Sequence, residues 1–194
     1  MVLIHRAAAR VALPWKNGGG TTQEVSASPA GSSFDTFNWR VSLAAVSRAG
    51  PFSQFAGIER VMAVIAGELA FTLADEPAVI LSRHSAPLRF AGETPARAEP
   101  LGGAVRDLNL MTRRGRCSGE LTRHALGCTL ALAPEDTSVI MTLAHARLRA
   151  GGQVHALAPF DAAELTQVTA CELSAAAAVA GDIYVARITS GATA

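Results

Sequence analysis

Alternation of apolar and polar residues with a period of two recurs along this chain in short runs separated by turn-forming residues, and it leaves little room for a helical fold. "NWRVSLAAV" sets Trp39, Val41 and Leu43 against Arg40, Ser42 and Ala44. "VRDLNLMTR" sets Arg106, Leu108 and Leu110 against Asp107, Asn109 and Met111. "VMAVIAGELAFTL" reads as two apolar strands joined by a hairpin at Gly67-Glu68. "TLALAP", "VIMTLAHARL" and "IYVARI" add further strands. No long segment keeps apolar residues at i, i+3, i+4 and i+7 between caps. The Ala-rich piece Ala175 to Ala180 has helical propensity, but it is short and runs straight into Gly181-Asp182. Short strands with a turn at roughly every tenth residue predict an all-β sandwich or barrel. The pattern restarts after "GRCSGELTRHALG", and 194 residues, 49% of them hydrophobic, suffice for two small lobes. Two β-rolls in tandem are therefore expected, residues 1–115 and 116–194.

The charge excludes some classes of partner. With 17 basic and 16 acidic residues the formal net charge is +1, so no strong field draws the protein to nucleic acid or an anionic membrane. Arg113, Arg114 and Arg116 form a short basic run of the kind found in solvated loops. The apolar stretch Val61 to Ala74 is interrupted by Glu68 and too short to span a bilayer. The N-terminal "MVLIHRAAARVALPWK" carries Arg6 and Arg10 where a signal peptide needs an uninterrupted apolar region. Cys117, Cys128 and Cys171 form no CxxC pair, which fits a reducing compartment. A cytoplasmic protein is expected, and edge strands of such folds make a homodimer the default assembly.

The stretch "PWKNGGGTTQEV" poses a sharper question. A P-loop needs its lysine after the glycines and a helix behind it; here Lys16 precedes them, and Pro29 breaks the polar segment that follows. Asn17-Gly18 is the signature of a type I′ turn. Three glycines exceed what one turn requires. Close approach of the backbone to a ligand would explain the excess, and so would an unusual backbone path with no ligand.

"PWKNGGGTTQEV", then "FNWRVSLAAVSRAGPFSQFAGIERVMAVIAGEL", then "VRDLNLMTRR" together resemble the HutD/Ves family of bicupin proteins, from Pro14 to about Arg114. Beyond Gly115 the likeness is to the general pattern of a second cupin lobe. The resemblance implies an all-β double-stranded β-helix (cupin jelly roll) in two tandem cupin lobes. It also implies a link to histidine utilisation, with a ligand such as formylglutamate or urocanate.

Cupins bind ligands inside the barrel, so inward polar residues of the first lobe are the candidates. Lys16 and Asn17 stand beside the glycines, and a lysine suits a carboxylate. Arg40 and Ser42 share one face of a strand, and the arginine could clamp a carboxylate in two-point fashion. Trp39, on the other face, is expected in the core, and Phe52 and Phe55 as core or pocket wall. Arg60, directly before an apolar strand, fits a barrel mouth or a surface ion pair equally well. Asp107, Asn109 and Met111 share a face; alternation alone would give that face to solvent, whereas the resemblance gives it to the pocket.

A metal-binding cupin places two histidines one residue apart. His5, His84, His124, His145 and His155 form no His-x-His, so neither a metal nor another cofactor is expected. Cys117 lies near Arg114 and Arg116, which would lower its pKa. The reading that results is a metal-free protein binding a small anionic metabolite, as a sensor or buffer. The alternative is a metal-independent isomerase- or epimerase-type enzyme with Asp107 or Glu59 as base. A module that only docks protein partners is a third, and it would need a large exposed apolar patch.

Overall fold

A computed structural model of the chain describes residues 1–15, 17–176 and 180–191. Seventeen strands run in order: β1 Val2–His5, β2 Ala12–Pro14, β3 Gly20–Ser28, β4 Trp39–Val46, β5 Gly50–Pro51, β6 Ile58–Leu73, β7 Val79–Ser82, β8 Leu88–Ala91 and β9 Ala96–Arg113. They continue as β10 Cys117–Ala125, β11 Cys128–Ala131, β12 Thr137–Thr142, β13 Ala146–Ala150, β14 Gln153–Leu157, β15 Ala162–Thr166, β16 Ala170–Ala175 and β17 Asp182–Ser190. One 3-10 turn, Ala7–Ala9, is the single helical element among the described residues. Of the Ala-rich piece expected to favour a helix, Ala175 ends β16 and residues 177–179 lie outside the described residues.

The chain divides into two compact units, Val11–Ser118 and a second made of Met1–Arg10 with Gly119–Ala194. The first ten residues, counted with the first lobe by sequence, belong to the second unit because β1 pairs antiparallel with β15, Val2 opposite Leu165 and His5 opposite Ala162. That unit has a five-stranded sheet, β1-β15-β12-β17-β10, and a four-stranded sheet, β11-β16-β13-β14. Its core draws on both sheets and is aliphatic: Leu130, Ile140, Leu148, Leu165, Leu173 and Ile183 are buried in one cluster. Each such side chain contributes about 1.5–3 kcal/mol by leaving water.

The unit Val11–Ser118 is a single eight-stranded sheet in the order β2-β3-β4-β9-β6-β7, with β5 added to β9 and β8 to β6. Its axis is the pair of long strands β6 and β9. The hairpin expected at Gly67-Glu68 does not form: β6 continues through it, and the ladder with β9 shifts register between Val64, Ala66 and Glu68. Gly67, at φ 81°, takes up this bulge. Before the bulge β6 lies between β9 and β8; after it, between β9 and β7. The sheet can thus change direction and enclose a core of Met62, Val64, Leu69, Phe71, Leu81, Phe90 and Val105.

The glycine run is explained by its own backbone. Trp15 N–H donates to the Gly20 carbonyl and Gly18 N–H to the Trp15 carbonyl, closing the β2–β3 connection. Gly18 has φ 66°, and Asn17 Oδ1 accepts from Gly19 N–H at 2.9 Å. At Gly20 a Cβ would overlap the Ala45 carbonyl oxygen and press on the Trp15 ring. Backbone-to-backbone packing, rather than a ligand, therefore demands a glycine there. Gly20→Ala is expected to cost about 1–3 kcal/mol, the range for forcing extra atoms into a packed site. The midpoint of urea unfolding, followed by tryptophan emission, measures this, and an unchanged midpoint would refute it.

Candidate ligand-binding cavity

Register on the central strands decides which side chains meet. In the ladder, Met111 of β9 stands opposite Arg40 of β4 on one side and Arg60 of β6 on the other. One step along, Asn109 lies between Ser42 and Met62; one step further, Asp107 lies between Ala44 and Val64. Because side chains alternate faces, these three rows project to the same side of the sheet. All of these except Met62 and Val64, which belong to the core, line a cavity of about 620 Å³, together with Asn17, Trp15, Thr22, Phe34, Phe52, Ser53 and Phe55. Leu108 and Leu110, on the opposite side of β9, are buried as well. Both sides of the strand are thus buried, which is why alternation alone misassigns the polar side to solvent.

The floor of the cavity is a charged relay. Arg60 Nε donates to Asn109 Oδ1, and Asn109 Nδ2 donates to Asp107 Oδ1, each at 3.3 Å. Arg60 Nη1 reaches the Ser53 carbonyl at 3.3 Å. The guanidinium lies over three rings, 5.2 Å from the Phe52 centroid, 5.7 Å from Phe55 and 5.0 Å from Phe90. Asp107 is 0% exposed, and its Oδ2 has no hydrogen-bond partner among the described residues. Burial pushes its carboxyl up to about 6, against the opposing pull of the Asn109 hydrogen bond and the Arg60 charge. Burial likewise lowers Arg60 to about 10, offset in part by Asp107, so the guanidinium stays charged at neutral pH.

Arg40 is held differently. Its Nε donates to Glu24 Oε2 at 2.9 Å, and its guanidinium lies 4.4 Å from the centroid of Phe34. Phe34 in turn stacks on Phe55 at 5.3 Å. No hydrogen bond from the Arg40 terminal amino groups is recorded among the described residues. Trp15 donates from Nε1 to Thr22 Oγ1 at 2.7 Å and meets Phe52 edge-on.

The structure therefore brings together Asn17, Arg40, Ser42, Arg60, Asp107, Asn109 and Met111 around one cavity. Arg60, left open between mouth and surface pair, is buried on the floor. Lys16 lies outside the described residues. Glu59, the other base considered, is not among the lining residues and pairs with Arg114 at 3.6 Å and Arg89 at 3.9 Å. Cys117 is buried and donates to the Asn38 carbonyl; desolvation raises its pKa, the reverse of the lowering expected from the nearby arginines. Among the described residues, no group of three or more His, Cys, Asp or Glu side chains is placed to hold a metal. Trp15, Thr22, Phe34 and Ser53 were not anticipated. The aromatic pair in "SSFDTF" was the available signal for Phe34, an exposed ring in an otherwise polar loop.

A folded sheet around a polar-floored cavity, followed by a unit of two sheets with an aliphatic core, defines a two-lobed cupin. Solved cupins agree: a cupin 2 conserved barrel domain protein from Leptotrichia buccalis superposes with a TM-score of 0.58 at 10% identity, over 90% of this chain and 91% of that one. More specifically, the HutD family model matches residues 7–184, and the chain belongs to that family. HutD from Pseudomonas fluorescens SBW25 superposes with a TM-score of 0.83 at 25% identity, over 98% of this chain and 99% of that one. A conserved protein of unknown function from Pseudomonas aeruginosa PAO1 gives 0.87 at 25% identity, over 97% and 99%. In sequence, the chain is 41% identical over 100 residues to an uncharacterized 21.2 kDa protein in the hutC 3′ region of Pseudomonas putida, covering 51% of this chain and 52% of that one. Protein Ves of Citrobacter koseri is 37% identical over 109 residues, with 55% and 56% covered. The chain spans about half the length of the curated relatives it matches.

Proposed function

We propose that this chain binds a small anionic metabolite in the cavity of the unit Val11–Ser118 and thereby senses or buffers it. The observation that carries this reading is the row Arg40–Met111–Arg60. It places two buried guanidiniums on either side of one thioether, facing a common space. Guanidinium N–H groups at fixed geometry match a carboxylate. Ser42, Asn109 and Asn17 supply uncharged polar groups to orient the rest of the ligand. Lys16, as a neighbour of Asn17 in sequence, remains a candidate for a further contact. Membership of the HutD family, with a relative from a hutC 3′ region, points to histidine utilisation as the source of the metabolite, formylglutamate or urocanate for example.

The test is a thermal-shift screen against small carboxylates including those two, with Arg40→Ala alongside. The wild type is expected to be stabilised by at least one of them, and Arg40→Ala to lose that response while keeping its own unfolding transition. A full response in Arg40→Ala would refute the clamp.

One feature favours an enzyme as the second reading. Asp107 is a buried carboxyl whose pKa, about 6, lies near neutral, at the wall of a cavity. General bases are tuned in this way. Exchange of ligand hydrogen for solvent deuterium, dependent on Asp107, would decide for catalysis over storage.

A further inference from the structure

The second half of β6 belongs to a small four-stranded layer in the order β5-β9-β6-β7. In it β5 joins β9 at Arg97 and Ala98, and β7 joins β6 from Glu68 to Phe71. β7 is an outer strand of this layer, with no strand paired to its far side among the described residues. Every second residue of such an edge leaves its N–H and C=O without a ladder partner. Natural edges are blunted by charge, proline or a bulge. β7 reads Val79-Ile80-Leu81-Ser82 and carries neither charge nor proline. Val79 is 47% exposed and Ile80 56%, the one adjacent pair among the exposed large apolar side chains of the described residues.

The flanks of β7 carry opposite charges. Asp75 and Glu76 precede it and Arg83 follows it, and all three are exposed. An antiparallel strand of the same sequence turns each acidic flank towards the basic flank of the other copy. A two-fold axis through Ile80, perpendicular to the layer, sets Ile80 against its own counterpart, Val79 against Leu81 and Ala78 against Ser82. Opposed residues of a ladder must share a face, and these do, because each pair is an even number of positions apart. Arg83 then comes opposite Pro77, one residue from Glu76. Moving the axis to Leu81 would set Val79 against Arg83 and lose the match.

We propose that β7 is a homodimerisation edge: two copies of this chain join β7 to β7 antiparallel about a two-fold axis at Ile80, with Asp75 and Glu76 of each copy beside Arg83 of the other. The contact uses the same surface on both copies and closes on itself. A four-residue ladder makes a small interface, so the association is reversible, with a dissociation constant on the order of micromolar. No residue of β7 lines the cavity, so the dimer and the anion-binding reading stand or fall separately.

Sedimentation velocity of the full chain from about 1 to 100 µM is expected to show a monomer–dimer equilibrium. Ile80→Lys places a charge on the edge at an exposed position, so folding is preserved, which tryptophan emission verifies. It is expected to raise the dissociation constant at least tenfold. Glu76→Arg and Arg83→Glu each set like charges against one another and are expected to weaken the dimer severalfold, whereas the two together restore it. A chain that stays monomeric over the whole range overturns the proposal, and the edge then faces solvent or a different protein. A dimer that Ile80→Lys leaves intact overturns it too, because the copies then meet elsewhere. A double charge variant no tighter than the single ones overturns the antiparallel register.

Discussion

Replacing Phe71 by alanine is expected to destabilise the unit Val11–Ser118 by about 3–5 kcal/mol, the usual loss for a large aromatic ring cut back in a close-packed core. Phe71 is fully buried on β6, and its ring meets Phe52 at 5.3 Å and Phe90 at 5.5 Å. Each tilted or edge-on aromatic pair adds about 0.5–1.5 kcal/mol beyond its buried area. Ala96 and Ala98, in the same cluster, are too small to swing into the space left behind. The site should feel the loss as well. Phe52 and Phe90 are two of the three rings beneath the Arg60 guanidinium, so loosening them loosens its orientation. The measurement is well isolated, because both tryptophans of the chain, Trp15 and Trp39, belong to this unit, whereas the one tyrosine, Tyr184, belongs to the other. Urea unfolding followed by tryptophan emission should show the shift, accompanied by a weaker ligand response. A loss below about 1 kcal/mol would mean that the core relaxes around the missing ring far more than close packing allows.

How much of this was legible in the sequence depends on how local each feature is. Period-two alternation placed Arg40 with Ser42, and Asp107 with Asn109 and Met111, and those groupings are the faces that β4 and β9 turn to the cavity. What alternation could not supply was the third strand. Arg60 comes opposite Met111 only through the β6–β9 register, a pairing across about fifty residues that nothing in "GIERVMA" announces. Gly67-Glu68 read as a hairpin because a glycine with positive φ is common to turns and bulges alike; only the continuous partner β9 separates the two. β1 was assigned to the wrong end of the chain's contacts for the same reason, since its partner β15 lies some 160 residues away. β7 and β8 went unread because they are four-residue edge strands, too short to show a period. Cys117, beside Arg114 and Arg116 in sequence, misled for a different reason. Proximity in sequence suggested a lowered pKa, but burial beside the Asn38 carbonyl dominates.

Asp107→Asn is expected to stabilise the protein at pH 7, although it removes the buried acidic partner of Arg60 from the middle of a sheet. Asp107 is ordinarily a carboxyl of pKa 3.8 and is raised to about 6 in the fold. Below pH 3.8 it is protonated whether the chain is folded or not, and it contributes nothing unfavourable. Between 3.8 and 6 the unfolded chain releases the proton while the folded chain retains it, so stability declines as pH rises through this window. Above 6 both states are ionised and the full penalty remains. At 1.36 kcal/mol for each pH unit between the two values, that penalty is about 3 kcal/mol. The attraction of Arg60 is already contained in it, because the raised value is what survives that attraction. An asparagine of nearly the same shape can still accept from Asn109 through its Oδ1. It places a neutral amide where the unpaired Oδ2 stood, and an unpaired amide is less costly to bury than an unpaired charge. The variant should therefore match the wild type near pH 4 and exceed it increasingly up to pH 6, with a constant advantage beyond. Equal slopes of stability against pH for the two proteins would show that Asp107 does not titrate in this range. A less stable variant at pH 7 would show that its charge is welcome in the fold. The expected outcome implies that a destabilising carboxylate is retained at the cavity floor, and its use there, holding Asn109 and through it Arg60 in place for an incoming anion, is the physical reason to keep it.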